Sequence, residues 1–284
     1  MKKCLVIVNE FKRNASELAA EICSFLKENS VSSDIYSYDG SSLDSSKSAP
    51  VFKGYDFTVT LGGDGTVLSA CRGCAPLGIP VFPINLGEFG FLAVVSPSSW
   101  KKDLLSYIEG KAFTGRRSLV RSEVIRDGKT VFDVCGMNDA VISSPGSSRL
   151  VNLDVAYNHA LLGPFKANGI IVSTPTGSTA YSAAAGGPIL DPSLDGLVLT
   201  PVSSFSLSAR PLVFSAKGEI AITVKASRVD VGLSIDGQVN FDLQENDVII
   251  LGIPDYKASI ICSTQEKFYA ALQSKLNWSG GPRA

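Results

Sequence analysis

Near residue 111 the sequence changes its period, and that change limits the chain to few architectures. Before it, short apolar runs at 4–8, 35–38, 57–61 and 79–85 alternate with stretches whose apolar residues recur every three or four positions. The clearest of these is 15–28, with Leu18, Ala19, Ile22, Phe25 and Leu26 at helical spacing and Asn14 placed to cap it; 66–72 and 98–109 follow, the latter with Trp100, Leu104, Leu105 and Ile108 on one side. Strands alternating with helices predict a parallel sheet. After Lys111 the segments 119–125, 131–134, 139–142, 150–156, 169–173, 219–224, 231–235 and 247–251 are short, β-rich and bounded by turn residues, with Asp127-Gly128 and Asp236-Gly237 as hairpin turns. The expected fold is therefore an α/β domain with a parallel sheet over 1–112, then an all-β, sandwich-like domain over 113–264. A C-terminal segment, 265–284, turns helical again over 268–276 and returns to the first domain. The Ser-rich stretch 40–50 reads as an exposed loop.

Charge narrows the function classes. The 26 basic and 27 acidic residues leave a net charge of −1, which gives no general pull toward nucleic acid or an anionic membrane. The first apolar run, 5–8, is too short for a secretory signal. The uncharged stretch 167–190 carries Pro175, Pro188, glycines and hydroxyls, unlike a spanning helix. A soluble, cytoplasmic chain is expected. Among the six cysteines, Cys71 and Cys74 have CxxC spacing, but no second close pair completes a metal site, and the single histidine, His159, is far away and reads as a hairpin tip. Packed thiols in a reducing compartment are the expectation.

The chemistry concentrates in two stretches. In the first, the apolar run 58–61 enters Gly62-Gly63-Asp64-Gly65-Thr66 and then turns helical. Backbone amides at such a strand-to-helix turn make an anion nest. It is neither a Walker A loop (the candidate tail Gly128-Lys129-Thr130 has Glu123 where a glycine is needed) nor a dinucleotide GxGxxG. An acid inside a phosphate nest makes sense if Mg²⁺ screens it, or if it faces an acceptor hydroxyl and takes its proton late in phosphoryl transfer; the plainer alternative is a helix cap. In the second stretch, Ser173-Thr-Pro-Thr-Gly-Ser-Thr-Ala-Tyr-Ser182, hydroxyls and amides could read a ribose or base edge and Tyr181 could stack on a ring. Alternatively Thr176 or Ser178 caps a helix and Tyr181 is core.

LGGDGT at 61–66, NLGEFGFL at 85–92, NDAVI at 138–142, STPTGSTAYS at 173–182, AGGPIL at 185–190, LTPV and SARPLV around 199–213, SIDGQ at 234–238 and a final FYAALQSKLNW resemble the NAD kinase family. GGDG alone is shared with diacylglycerol-type lipid kinases and phosphofructokinases; PTGSTAYS with GGP is far more specific. The resemblance implies transfer of the γ-phosphate of ATP, or in some members of inorganic polyphosphate, to the 2′-hydroxyl of the adenosine ribose of NAD, with Mg²⁺ carried by the nucleotide. It also implies an α/β domain followed by a β-sandwich domain that binds the dinucleotide, in a homodimer or homotetramer. Carried over, Asp64 activates the 2′-hydroxyl, and Gly62, Gly63, Gly65 and Thr66 cradle the donor. Asp64, Gly65, Asn138, Asp139, Arg149, Lys166, Asn168, Thr176, Thr179, Ala180, Tyr181, Ser182, Ala183, Ala184 and Gln238 bind NAD. Two positions depart from the family pattern: Asp139 replaces the usual glutamate, and Asn168 replaces the usual aspartate.

Overall fold

A computed structural model describes residues 1–40, 52–87, 90–144, 149–206, 209–226 and 229–276. Most of the expected Ser-rich loop, Glu88 and Phe89 of the NLGEFGFL motif, Ser208 of SARPLV and the last residues of the C-terminal segment lie outside them.

The elements run β1 (Lys2–Asn9), α1 (Ala15–Glu28), β2 (Val31–Tyr38), β3 (Phe57–Gly62), α2 (Asp64–Cys74), β4 (Val81–Asn85), α3 (Trp100–Ile108) and β5 (Thr114–Arg117). Then come β6 (Val120–Arg126), β7 (Lys129–Gly136), β8 (Asp139–Ser143), β9 (Val151–Tyr157), β10 (Ala160–Ala167), β11 (Gly169–Ser173), α4 (Tyr181–Ala184), β12 (Gly196–Val202), β13 (Leu212–Ser215), β14 (Ile220–Val224), β15 (Val231–Ile235), β16 (Val239–Leu243) and β17 (Val248–Gly252). The chain closes with β18 (Ala258–Ile261) and α5 (Gln265–Leu276). They divide into two compact units, Met1–Arg116 with Ala258–Ala284, and Arg117–Lys257.

In the first unit one sheet has the order β2-β1-β3-β4-β18-β5, and β1 through β4 and β18 pair in parallel. Parallel strands covered on both faces read as unbroken apolar runs, and β3 is buried at all of its positions. α1 lays Ala15, Ala19, Ile22 and Leu26 on this sheet, in a core shared with Val6, Phe57, Val59, Trp100 and Leu104. Each of the larger side chains here, such as Ile22 and Leu26, stabilises the unit by about 1.5–3 kcal/mol, and each alanine by less. Two local expectations change. Asn14 sits in the left-handed region at φ 61° and makes no side-chain cap, and Leu105 is exposed, so α3 buries only Trp100 and Leu104. Cys71 and Cys74 are buried free thiols, and burial pushes Cys74 up to about 12, which keeps it protonated and inert.

In the second unit two antiparallel sheets, β10-β9-β14-β17-β6-β7 and β13-β12-β11-β8-β15-β16, share one apolar core. β9, β14 and β15 alternate buried and half-buried residues, as strands with one face on a sandwich core must. Both Asp-Gly pairs take the positive φ of a two-residue hairpin turn, 50° and 73° at 127–128, 53° and 65° at 236–237. Asn158 and His159 do likewise at the β9–β10 tip.

Candidate active site

The first cluster follows from how the chain leaves β3. Gly62 still pairs with Asn85 of β4, and α2 begins two residues later. Extended Gly63 makes the corner, and its carbonyl accepts the N–H groups of Thr66 at 3.0 Å and Val67 at 3.2 Å. Asn9, at the end of β1, donates its side-chain amide to the buried Thr66 hydroxyl at 2.9 Å. Since α2 is buried from Thr66 to Cys74, the glycine turn stands on a rigid support.

Asp64 does not cap this helix. Its carboxylate reaches across to the segment after β4, where Oδ2 accepts the N–H of Phe91 at 2.9 Å and Oδ1 accepts those of Leu92 and Ala93 at 3.1 and 2.9 Å. Gly90 permits this approach, because a Cβ there would stand 2.7 Å from Asp64 Cγ. The Phe91 ring rests on Phe268 of α5, centroids 6.0 Å apart, so the returning helix braces the segment that holds the acid. A carboxylate offers about four acceptor positions. Three are taken by backbone, and the half-buried group beside exposed Gly65 keeps room for a hydroxyl donor. The same corner brings an ammonium group near: a side chain on Gly87 would begin 3.2 Å from Lys12 Nζ.

The second cluster is built around residues 137–139, between β7 and β8. Asp236 Oδ2 accepts the N–H of Met137 at 2.9 Å, and Oδ1 accepts those of Asn138 and Asp139 at 2.7 and 3.1 Å. The Asp236 N–H donates in return to the Asp139 carbonyl at 2.9 Å. From the other side the Thr174 hydroxyl donates to the Met137 carbonyl at 2.6 Å and the Thr174 N–H to the Asn138 carbonyl at 2.8 Å. Gly177 lies flat on this backbone; a Cβ there would stand 2.6 Å from Asn138 Cα.

Hydroxyls hold the turn that follows. Ser178 Oγ donates to the Pro175 carbonyl at 2.6 Å and accepts the Leu190 N–H at 2.9 Å, and Ser182 Oγ lies 2.8 Å from Thr200 Oγ1. Neither Thr176 nor Ser178 caps a helix: 177–179 is a 3-10 turn, and Ala180 precedes the short α4 without a side-chain cap. Tyr181 is 48% exposed, not core, so its ring is open to stacking. Thr176 Oγ1 is buried with no partner within the chain, an orphan that ligand contact would explain.

Asp139 is the group whose chemistry burial changes most. It is 5% exposed, and its pKa is raised to about 7 by burial first and the Asp236 charge second. It therefore changes charge near neutral pH.

Of the residues expected to bind dinucleotide in this unit, the structure groups Asn138 and Asp139 with the turn through Thr176, Thr179 and Ala180 to Ala184, and with Gln238 in the turn that carries Asp236. Arg149, Lys166 and Asn168 do not join them. Asp139 pairs with Ser173 at one end of β11, while Asn168 precedes Gly169 at the other, about 16 Å away along the strand. Lys166 pairs with Asn152 in the other sheet, and Arg149 is exposed just before β9. Asp236 was hidden from sequence reasoning because an Asp-Gly pair is fully explained by its turn. Its one visible signal is that the turn belongs to the SIDGQ motif.

Known proteins match the chain across both units. Residues 47–112 match the family described as the ATP-NAD kinase N-terminal domain, and residues 137–263 its C-terminal domain. The chain is 46% identical over 281 residues to the NAD kinase of Treponema denticola, covering 99% of this chain and 98% of that one. It is 34% identical to the NAD kinase of Symbiobacterium thermophilum, covering 98% and 99%. A crystal structure of yeast NADH kinase complexed with NADH superposes with a TM-score of 0.88 at 25% identity, covering 99% of this chain and 89% of the yeast chain. An NAD kinase from Archaeoglobus fulgidus in complex with ATP gives 0.77 at 23% identity, covering 97% and 98%.

Proposed function

This chain belongs to the NAD kinase family and is an ATP-dependent NAD kinase that makes NADP, and from that premise we propose how its residues divide the reaction. The 2′-hydroxyl of the adenosine ribose donates a hydrogen bond to Asp64. As its oxygen bonds to the γ-phosphorus, the bond from that phosphorus to the β-γ bridging oxygen breaks, ADP leaves, and the hydroxyl proton passes late to the carboxylate. What carries this assignment is the Asp64 geometry: three backbone donors fix the carboxylate and leave an acceptor position beside the glycine turn. Gly62, Gly63, Gly65 and Thr66 cradle the donor phosphates at the start of α2. Asn138, Asp139, Thr176, Thr179, Ala180, Tyr181, Ser182, Ala183, Ala184 and Gln238 hold NAD, with Gly65 as a further contact; Arg149, Lys166 and Asn168, which lie apart from this cluster, would meet a different part of the dinucleotide.

Among the described residues no group of three His, Cys, Asp or Glu side chains is placed to hold a metal ion. Mg²⁺ would enter on the nucleotide, since this ion keeps most of its water and binds through phosphates; when bound it would neutralise charge on the transferring group. No helix among the described residues is long and apolar enough to cross a membrane. The assembly is a homodimer or homotetramer.

The test is NADP formation from NAD and Mg-ATP, read by coupling to an NADP-specific dehydrogenase. Asp64→Asn should cut kcat by about 10²–10⁴-fold, with NAD binding by calorimetry largely kept. Near-normal turnover in that variant sinks the assignment. Binding without product in the wild type would make the chain a dinucleotide sensor instead.

A further inference from the structure

The reading that Asn138 and Asp139 hold the acceptor leaves open what holds them. Residues 137 and 138 connect β7 to β8, and Asp139 is the first residue of β8, paired with Ser173 of β11. Three buried or half-buried N–H groups without partners would be costly, about 1–3 kcal/mol each. All three turn to one side chain, that of Asp236, on a different hairpin. The carbonyls of Met137 and Asn138 turn to Thr174, on the opposite side. The backbone that carries the dinucleotide-binding pair is thus gripped from two directions, and on the Asp236 side a single carboxylate takes all three amides, with the Asp236 N–H returning to the Asp139 carbonyl.

We propose that Asp236 is the positioning residue of the dinucleotide site: by accepting the amide hydrogens of 137–139 it sets where Asn138 and Asp139 present their side chains to NAD. The role suits its backbone. Asp236 sits at φ 53° in the hairpin turn, a conformation that aspartate and asparagine tolerate and other residues resist. This aims a short side chain back at the start of β8, a reach that no residue within a strand could make. The same carboxylate also acts on Asp139 through space. It is the charged group that bears on Asp139, while Cys135 on β7, pushed up to about 11 by burial, stays neutral through the same range.

The deciding variant is Asp236→Asn, which keeps the turn conformation and one acceptor oxygen but loses the charge and the second oxygen. Steady-state kinetics on the full chain, from about pH 5.5 to 8.5, should show KM for NAD raised about tenfold, the loss of one charged hydrogen bond. KM for ATP should stay within about twofold, and kcat should fall less than KM rises. With the neighbouring charge gone, Asp139 ionises more readily, so the acid limb of kcat/KM for NAD should move to lower pH. A purely structural residue would not move that limb. An unaltered KM for NAD at unaltered Tm overturns the proposal, as does a uniform loss of kcat with the acid limb in place. Asn138→Ala and Asp139→Asn, measured alongside, separate the two levels. If they raise KM for NAD and Asp236→Asn does not, the positioning role alone fails. If none of the three does, the reading of 138–139 as the acceptor site fails with it.

Discussion

A buried acid that titrates near neutrality leaves a mark on the whole protein's stability. Asp139 has its folded pKa raised to about 7 from an ordinary value of 3.8, by burial and by the Asp236 charge. Between those two values the native state binds more protons at this site than the unfolded chain does. Stability therefore falls as pH rises through that window, and the penalty is fully developed above the folded pKa. Asp139→Asn removes the titration and the like-charge contact with Asp236. Its Tm relative to wild type should rise by a few degrees between about pH 5 and pH 8, measured by differential scanning calorimetry. A parallel pair of Tm curves would mean that Asp139 is not held as the structure places it. At this scale the motifs singled out Asp64 and the Asn138-Asp139 pair as candidates. The sequence was silent on Asp236, because an acid that folds back on distant amides looks the same as an acid that makes a turn.

Elements were legible in proportion to how much their own periodicity told of their surroundings. β1 and β11 carry apolar runs, α1 a clean helical stripe, and β3 and β15 apolar residues at every second position, and their bounds fall close to expectation. β5, β10, β12, β13, β16 and β18 were not placed. β5 is four residues with two arginines, and β13 and β18 are also four residues long. β10 carries Gly163 at φ 126° and Pro164, which an edge strand accepts but an alternating pattern does not contain. The segment after β4 is another case: its irregular backbone is specified by Asp64, 26 residues before Gly90, and by Phe268 of α5. Gly90→Ala tests that segment as the holder of the acid. The added methyl would stand 2.7 Å from Asp64 Cγ and must push the carboxylate away. A displacement on the order of 1 Å should lower kcat by about 10–100-fold, with KM for NAD and for ATP changed far less. Normal kcat would show that Asp64 needs no such placement.

At the scale of the molecule, two of the four sheet edges in the second unit carry apolar side chains that are more than half exposed. β10 ends one sheet and β13 ends the other. They carry Leu161, 69% exposed, and Val213, 56% exposed, with Phe205 at 77% in the connection after β12. Between the edges lies a groove of about 310 Å³ lined by Leu162, Phe165 and Leu212, with Lys166 and Arg210 at its sides. Exposed apolar strand edges are templates for association, and chains that remain monomeric cover or charge them. For the homodimer or homotetramer proposed above, these edges are the contact between copies that we would test first. Light scattering at micromolar concentration should therefore give a multiple of the monomer mass. Leu161→Lys with Val213→Lys places two charges on the strip without touching the core, since both side chains are exposed in the unit. That variant should run at monomer mass with its Tm lowered, because assembly stabilises the folded chain by mass action. A wild type that is already monomeric, or a doubly charged variant that keeps the larger mass, would exclude these edges as the contact between copies.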